Sequence, residues 1–168
     1  TLAREHKSFF YRVHERPSKA KYLDIKSLAK AVNYKLCGER ELSSADLNQI
    51  LRKSQIRNRK RFVSMQILRS LSQAEYNTQN IGHFGLNLPI YAHFTSPIRR
   101  YSDLVVHRVL NYCIDKKTTL YSLRDLQKIA DHLNETERRS AQAERDATDR
   151  QIARFLKDVS ESSFTAEI

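Results

Sequence analysis

Tryptophan is absent from this sequence, methionine occurs once, cysteine twice, and glycine and proline three times each. The two cysteines, Cys37 and Cys113, show no metal or redox spacing and read as reduced and buried. So little glycine and proline leaves long uninterrupted segments, most with helical rather than strand periodicity. No apolar run approaches the roughly 18–20 residues that span a bilayer. No charged-then-apolar leader opens the chain, so the reading is cytoplasmic, with no membrane partner. Gly-rich phosphate loops, GxSxG elbows and HExxH pairs are missing too. Acidic residues are the minority charge: 19 stand against 30 lysines and arginines, a net charge of +11 over 168 residues. That length suffices for one domain with a real core, and that balance points to a polyanion, of which nucleic acid is the commonest.

What is present is a succession of amphipathic segments. FFYRVHERP alternates in the β manner, after which Pro17 and Ser18 open a helix with Leu23, Leu28, Ala31, Val32 and Leu36 on its apolar stripe and Gly38 as its stop. SSADLNQILRKS is a second helix, capped by Ser43 or Ser44, with Leu47, Ile50 and Leu51 facing inwards. RFVSMQILRSLSQAEY continues with Phe62, Met65, Ile67, Leu68 and Leu71. Residues 77–96 are punctuated by Asn80, Gly82, Gly85 and Pro89 and read as a loop with short extended pieces. SLRD and NETE, starting at Ser122 and Asn134, are capping-box patterns that predict two consecutive helices or one long bent one. The expected fold class is mainly α, with short strands and loops.

Chemistry concentrates in HFTSPIRRYSDLVVHR, residues 93–108. Ser96 suits an N-cap and Pro97 the first helical position, so a helix is expected from there, burying Ile98, Tyr101, Val105, Val109 and Tyr112. Arg99 and Arg100 would then lie at the positive end of the helix dipole, a conflict that a bound phosphate resolves. Asp103 and His107 read as an i,i+4 ladder from Arg99 that orients the arginine. RKSQIRNRKRF, residues 52–62, is a second basic concentration, equally able to follow a phosphate backbone or to be a solvated connector. His83 and His93 lack partners at metal-ligand spacing and read as hydrogen-bonding or RNA-facing. Among Phe84, Tyr91 and Phe94, core packing is expected of two, and stacking on single-stranded bases is open to the third. Asp146 and Asp149, flanked by arginines, read as a surface ion-pair lattice rather than a metal site.

GHFGLNLPIYAHFTSPIRRYSDLVVHRVL closely resembles the signature region of the RNase II/RNase R (RNB) family of exoribonucleases, in its RNase R form. YRVHERP, LRSLSQAEYNTQNIGHFGL and ETERRSAQAERDATD are similar to further family blocks in the family's order, with a weaker fit over 35–62. The resemblance implies a processive 3′–5′ exoribonuclease that hydrolyses single-stranded RNA to nucleoside 5′-monophosphates, not one acting on DNA, with Mg²⁺ held by a cluster of aspartates. It implies that Arg99 is the catalytic, phosphate-contacting arginine of the Ser-Pro-Ile-Arg motif and that Arg100 supports it, with His83, Tyr91 and His93 as further RNA-binding candidates. The aspartate cluster belongs upstream of Thr1. The chain, with Met65 as its only methionine, is therefore expected to be a piece of a longer polypeptide. Residues 1–160 would be the helical C-terminal part of an α+β RNB catalytic domain, and 161–168 the start of an OB-fold RNA-binding module. Alone, such a piece should be inactive. The alternative is a non-catalytic RNA-binding relative that has lost its metal site.

Overall fold

The alternating stretch near the start becomes a short strand, β1 (Tyr11–Val13), paired antiparallel with β2 (Glu75–Asn77) so that Arg12 faces Tyr76. Three helices lie between them in sequence: α1 (Lys19–Ala31), α2 (Ser44–Ile56) and α3 (Lys60–Ser70). A 3₁₀ turn at Phe84–Leu86 and two further helices, α4 (Tyr101–Ile114) and α5 (Leu123–Asp158), follow. This computed structural model describes residues 9–36, 42–56, 60–115, 120–159 and 163. Cys37, Gly38, Arg57, Arg59 and the stretch from Phe164 to Ile168 lie outside the described residues. The fold is mainly α, as the periodicities predict. Among the described residues no helix is long and apolar enough to cross a membrane.

Two apolar cores result. One gathers Ile25, Ala29 and Val32 of α1 with Leu47 and Ile50 of α2 and Val63 and Ile67 of α3. The other joins Phe9, Phe10, Tyr11 and Val13 to Tyr76, to Val105, Val106 and Val109 of α4, and to Leu126 and Ala130 of α5. Phe84 packs on the first core from the loop that feeds the second.

Helix starts follow the sequence closely. The Ser18 side chain accepts from Lys21 N, and Ser122 accepts from Asp125 N while its own hydroxyl donates to the Asp125 carboxylate. Ser43 and Asp46 bond reciprocally at the head of α2, whose Leu47 and Ile50 are buried as expected.

Helix faces and ends differ more. The buried face of α1 is Ile25, Ala29 and Val32, and Leu23 is exposed. Spacing of four and three residues makes that the narrower, truer stripe. The face of α3 is Val63, Ile67 and Ser70, which leaves Phe62, Met65 and Leu68 outside. Helix α1 ends well before Gly38: Asn33 takes the left-handed conformation (φ 56°), with Asn33 N bonded to Lys30 O and Tyr34 N to Ala29 O. An asparagine here performs the stop more often made by glycine. NETE begins no helix. Helix α5 runs unbroken for 36 residues, because the Asn134 side chain is turned onto β2 and no glycine or proline interrupts it.

Candidate nucleic-acid interface

The Ser-Pro-Ile-Arg-Arg segment does not start α4; it forms a separate turn just ahead of it. Ser96 O accepts from Arg99 N at 3.3 Å and from Arg100 N at 3.0 Å, which closes the turn. Arg100 is extended (φ −121°, ψ 113°), so the helix begins only at Tyr101. Ile98 consequently leaves the helix and is 100% exposed, and Tyr101 is half exposed, while Val105 and Val109 are buried as expected.

Asp103 lies on the helix face expected to be polar, yet it is 0% exposed. Its Oδ2 accepts from Ser96 N at 2.7 Å and from Arg100 Nη2 at 3.0 Å. Arg100 Nε stands 3.0 Å from Oδ1. Burial pushes the Asp103 pKa up, but the bonds from Ser96, Arg100 and Ser102 outweigh it, and the net shift is downward. The carboxylate is therefore ionised at neutral pH. Arg99, which is exposed, makes no side-chain hydrogen bond or ion pair among the described residues. The conflict of two cations beside a helix start is thus resolved inside the chain for Arg100 and left open for Arg99. The expected ladder is not formed, since Asp103 pairs with Arg100 and His107 Nε2 donates to Phe94 O at 2.7 Å.

Behind this turn runs a line of polar groups. The Ser102 hydroxyl lies 3.1 Å from Asp103 Oδ1 and 3.1 Å from the Tyr76 hydroxyl, and the carboxylate is the stronger acceptor of its single proton. Tyr76 Oη is 2.9 Å from His93 Nδ1. Burial holds the tyrosine above its ordinary pKa, so it keeps its proton and donates it to Ser102 Oγ, while the imidazole donates Nδ1–H to Tyr76 Oη. Burial first, and then the charges of Arg100 and Arg12, lower the His93 pKa to about 4, so the ring is neutral. Asn134 grips the Tyr76 backbone from α5, its Oδ1 accepting from Tyr76 N at 2.7 Å and its Nδ2 donating to Tyr76 O at 2.9 Å. Arg12 lies over the Tyr76 ring at 4.5 Å and forms a two-pronged ion pair with Glu137 at 2.7 and 3.1 Å.

The remaining candidates adjoin this line. Tyr91 stands edge-on between His83 and His93, at 5.3 and 5.7 Å between ring centres. His83 Nδ1 accepts from Leu86 N, and burial together with neighbouring His14 lowers its pKa. His14, which the sequence did not single out, is buried: Nε2–H donates to Ser72 O at 2.6 Å while Nδ1 accepts from Gly85 N at 2.8 Å. A side chain at Gly85 would stand 2.8 Å from that nitrogen, which accounts for the glycine. Phe84 and Tyr91 are half-buried, whereas Phe94 is exposed and stacked on His107 at 4.3 Å. His83, Tyr91, His93 and Arg100 are thus brought together, and Arg99 is the exposed residue next in sequence to Arg100. Spacing marks Asp103, but as a partner of Arg99; Asn134 is marked only as a helix cap, and nothing local marks Ser102 or Tyr76.

Elsewhere the charged segments are superficial. Arg52, Lys60 and Arg61 are exposed, and Lys53 bonds Asn33 O and lies over Tyr34. Asp146 accepts from Gln142 on the exposed half of α5. The Mg²⁺ implied by the resemblance does not fit the described residues: no group of three or more His, Cys, Asp or Glu among them could hold a metal ion. Asp103, the one carboxylate with 0% exposure among the described residues, is already committed to Ser96, Arg100 and Ser102.

The profile described as RNB domain matches residues 1–116, which takes in the whole arginine turn and α4. The chain belongs to the RNB family. It is 41% identical over 154 residues to ribonuclease R of Buchnera aphidicola subsp. Schizaphis graminum, covering 88% of this chain and 21% of that protein. To ribonuclease R of Escherichia coli K12 it is 34% identical over 159 residues, covering 88% and 20%. Mycoplasma genitalium RNase R, solved in complex with ribose-methylated single-stranded RNA, matches with a TM-score of 0.77 and 30% identity over 89% of this chain and 24% of that one. The chain spans about a fifth of the length of the curated relatives it matches. The RNB assignment agrees with the resemblance carried by the Gly-His-Phe-Gly-Leu and Thr-Ser-Pro-Ile-Arg-Arg blocks.

Proposed function

We propose that this chain is the phosphate-gripping part of a 3′–5′ exoribonuclease of the RNase R type, which shortens single-stranded RNA to nucleoside 5′-monophosphates. The observation that carries this reading is the contrast between neighbouring arginines: Arg100 is bound to Asp103, and Arg99 beside it is exposed with no partner among the described residues. An unpaired guanidinium on an anchored turn presents a fixed positive charge and a planar donor fork, which suits a phosphate oxygen pair. Phosphoryl transfer gains most from positive charge placed before the reaction begins. The net charge of +11 adds a nonspecific attraction to the RNA backbone. His83, Tyr91 and His93, in ring contact with one another, are the further RNA-binding candidates on this reading.

On this reading residues 1–160 form the C-terminal part of the catalytic domain, and 161–168 lead towards an OB-fold module. A Mg²⁺ ion would be held in the full polypeptide by aspartates other than those described, and would supply the activation of water. The test uses the full polypeptide that contains it. Arg99→Ala should lower turnover on a 3′-tailed RNA by about 100-fold or more while changing RNA affinity far less. Equal losses in rate and affinity would make Arg99 a simple binding residue. RNA binding without any trimming by the full polypeptide would favour the non-catalytic alternative. The chain by itself should trim nothing.

A further inference from the structure

We infer that Asp103 is a positioning residue for Arg99: it sets the Ser96–Arg100 turn and never touches RNA itself. The inference rests on the phosphate-gripping reading of Arg99. A carboxylate with 0% exposure cannot meet substrate, yet its bonds converge on the turn that carries the exposed arginine. Oδ2 holds one end of that turn through Ser96 N at 2.7 Å and the other through Arg100 Nη2 at 3.0 Å. Ser96 O then returns to Arg99 N and Arg100 N, so the backbone on both sides of Arg99 is tied to one side chain.

A carboxylate whose task was only to cap α4 would turn to the free N–H groups of its own first turn. Asp103 instead reaches back seven residues to Ser96. Nor is it anchored by its helix alone. Ser102 ties Oδ1 towards the Tyr76 hydroxyl, and Tyr76 is held by Asn134 from α5. The arginine turn is therefore referenced to β2 and α5 of the second core. Placement to within about 0.5 Å is what a group aimed at a reacting phosphate requires, and an untethered surface turn would not keep it.

A double-mutant cycle in the full polypeptide tests this, using Arg99→Ala, Asp103→Asn and the pair, read by turnover on a 3′-tailed RNA. Asp103→Asn should lower kcat on the order of 100-fold with KM changed less than about threefold, since the apparatus for RNA binding is retained. That loss should vanish when Arg99 is already alanine, because a residue acting through Arg99 has nothing left to position. Full additivity would overturn the inference, since Asp103 would then act independently of Arg99. Undiminished turnover in Arg99→Ala would instead overturn the phosphate-gripping reading, a separately visible failure. If Asp103→Asn no longer melts cooperatively, Ser102→Ala carries the same cycle, because it removes one donor to Oδ1 and keeps the Arg100 pair. Its several-fold loss should also disappear without Arg99, and an additive loss would again overturn the inference.

Discussion

Around Ile25, Ile50 and Ile67 the buried polar groups are satisfied close by in sequence, whereas around Phe10, Tyr76 and Val105 they reach across the fold. In the first core Ser54 donates to Leu51 O, Ser70 to Gln66 O, and Asp46 pairs with Ser43, while Tyr34 Oη donates to Asp46 from farther along the chain. In the second, His14 bonds Ser72 and Gly85, Tyr76 meets His93 and Ser102, and Asn134 holds Tyr76 from 58 residues away. Local satisfaction leaves helices free to settle by apolar packing. Satisfaction across elements admits one arrangement only, because any slip strands a buried donor or acceptor. The arginine turn hangs from the second kind of core.

Acid should strike the second core hardest. His93 has a folded pKa of about 4, below its ordinary 6.5, so the unfolded chain binds its proton first. The stability this neutral ring contributes is present above about pH 6.5 and is lost as pH falls towards 4. His83 is lowered too and acts with the same sign. Asp103, also lowered, contributes stability that persists through this range and fails only as pH drops through its folded pKa. Urea midpoints taken between pH 7 and pH 4 should fall steadily, and His93→Gln should flatten that slope. A slope unchanged by His93→Gln would break the comparison at this ring.

Next in size is Asn134→Ala. It strands both the N–H and the C=O of Tyr76, at roughly 1–3 kcal/mol for each buried group left unpaired. Ile67→Val in the first core removes one methylene and should cost only about 0.5–1.5 kcal/mol. Chemical denaturation of the two variants measures the difference, and equal costs would show that the cross-element bonds matter no more than packing. The smallest effect separates hydroxyls. Tyr76→Phe keeps the ring stacked on Phe10 and deletes only the oxygen shared with His93 and Ser102, at about 1–2 kcal/mol. Ser54→Ala, whose hydroxyl serves only the Leu51 carbonyl among its described bonds, should cost less than about 1 kcal/mol. Thermal melts of this pair sharpen the contrast to a single atom in each core.

Much of the architecture was legible from local signals. Ser18, Ser43 and Ser122 marked helix starts because a cap bonds within its own first turn. The Gly-His-Phe-Gly-Leu and Thr-Ser-Pro-Ile-Arg-Arg blocks pointed to the RNB family, and the family profile covers them. Misreadings arose where a residue served a distant partner. Asn134 looked like a cap and instead braces a strand; Ser96 looked like a cap and instead donates its N–H to Asp103. Asn33 ends α1 ahead of the glycine stop that the sequence suggests, since asparagine also tolerates the left-handed conformation.

Periodicity, caps and charge thus determined by themselves that the chain is mainly helical, basic, and built around an arginine pair behind a Ser-Pro step. These properties depend on neighbours within about four residues, and such neighbours can be read off in order. Only the tertiary structure decided which arginine of the pair is free. That choice turns on a carboxylate buried by the packing of α4 against β1, β2 and α5, and on bonds from Ser96 and Ser102 that fix where it points. Spacing alone offered Asp103 to Arg99. Burial and directional hydrogen bonding gave it to Arg100 and left Arg99 facing solvent.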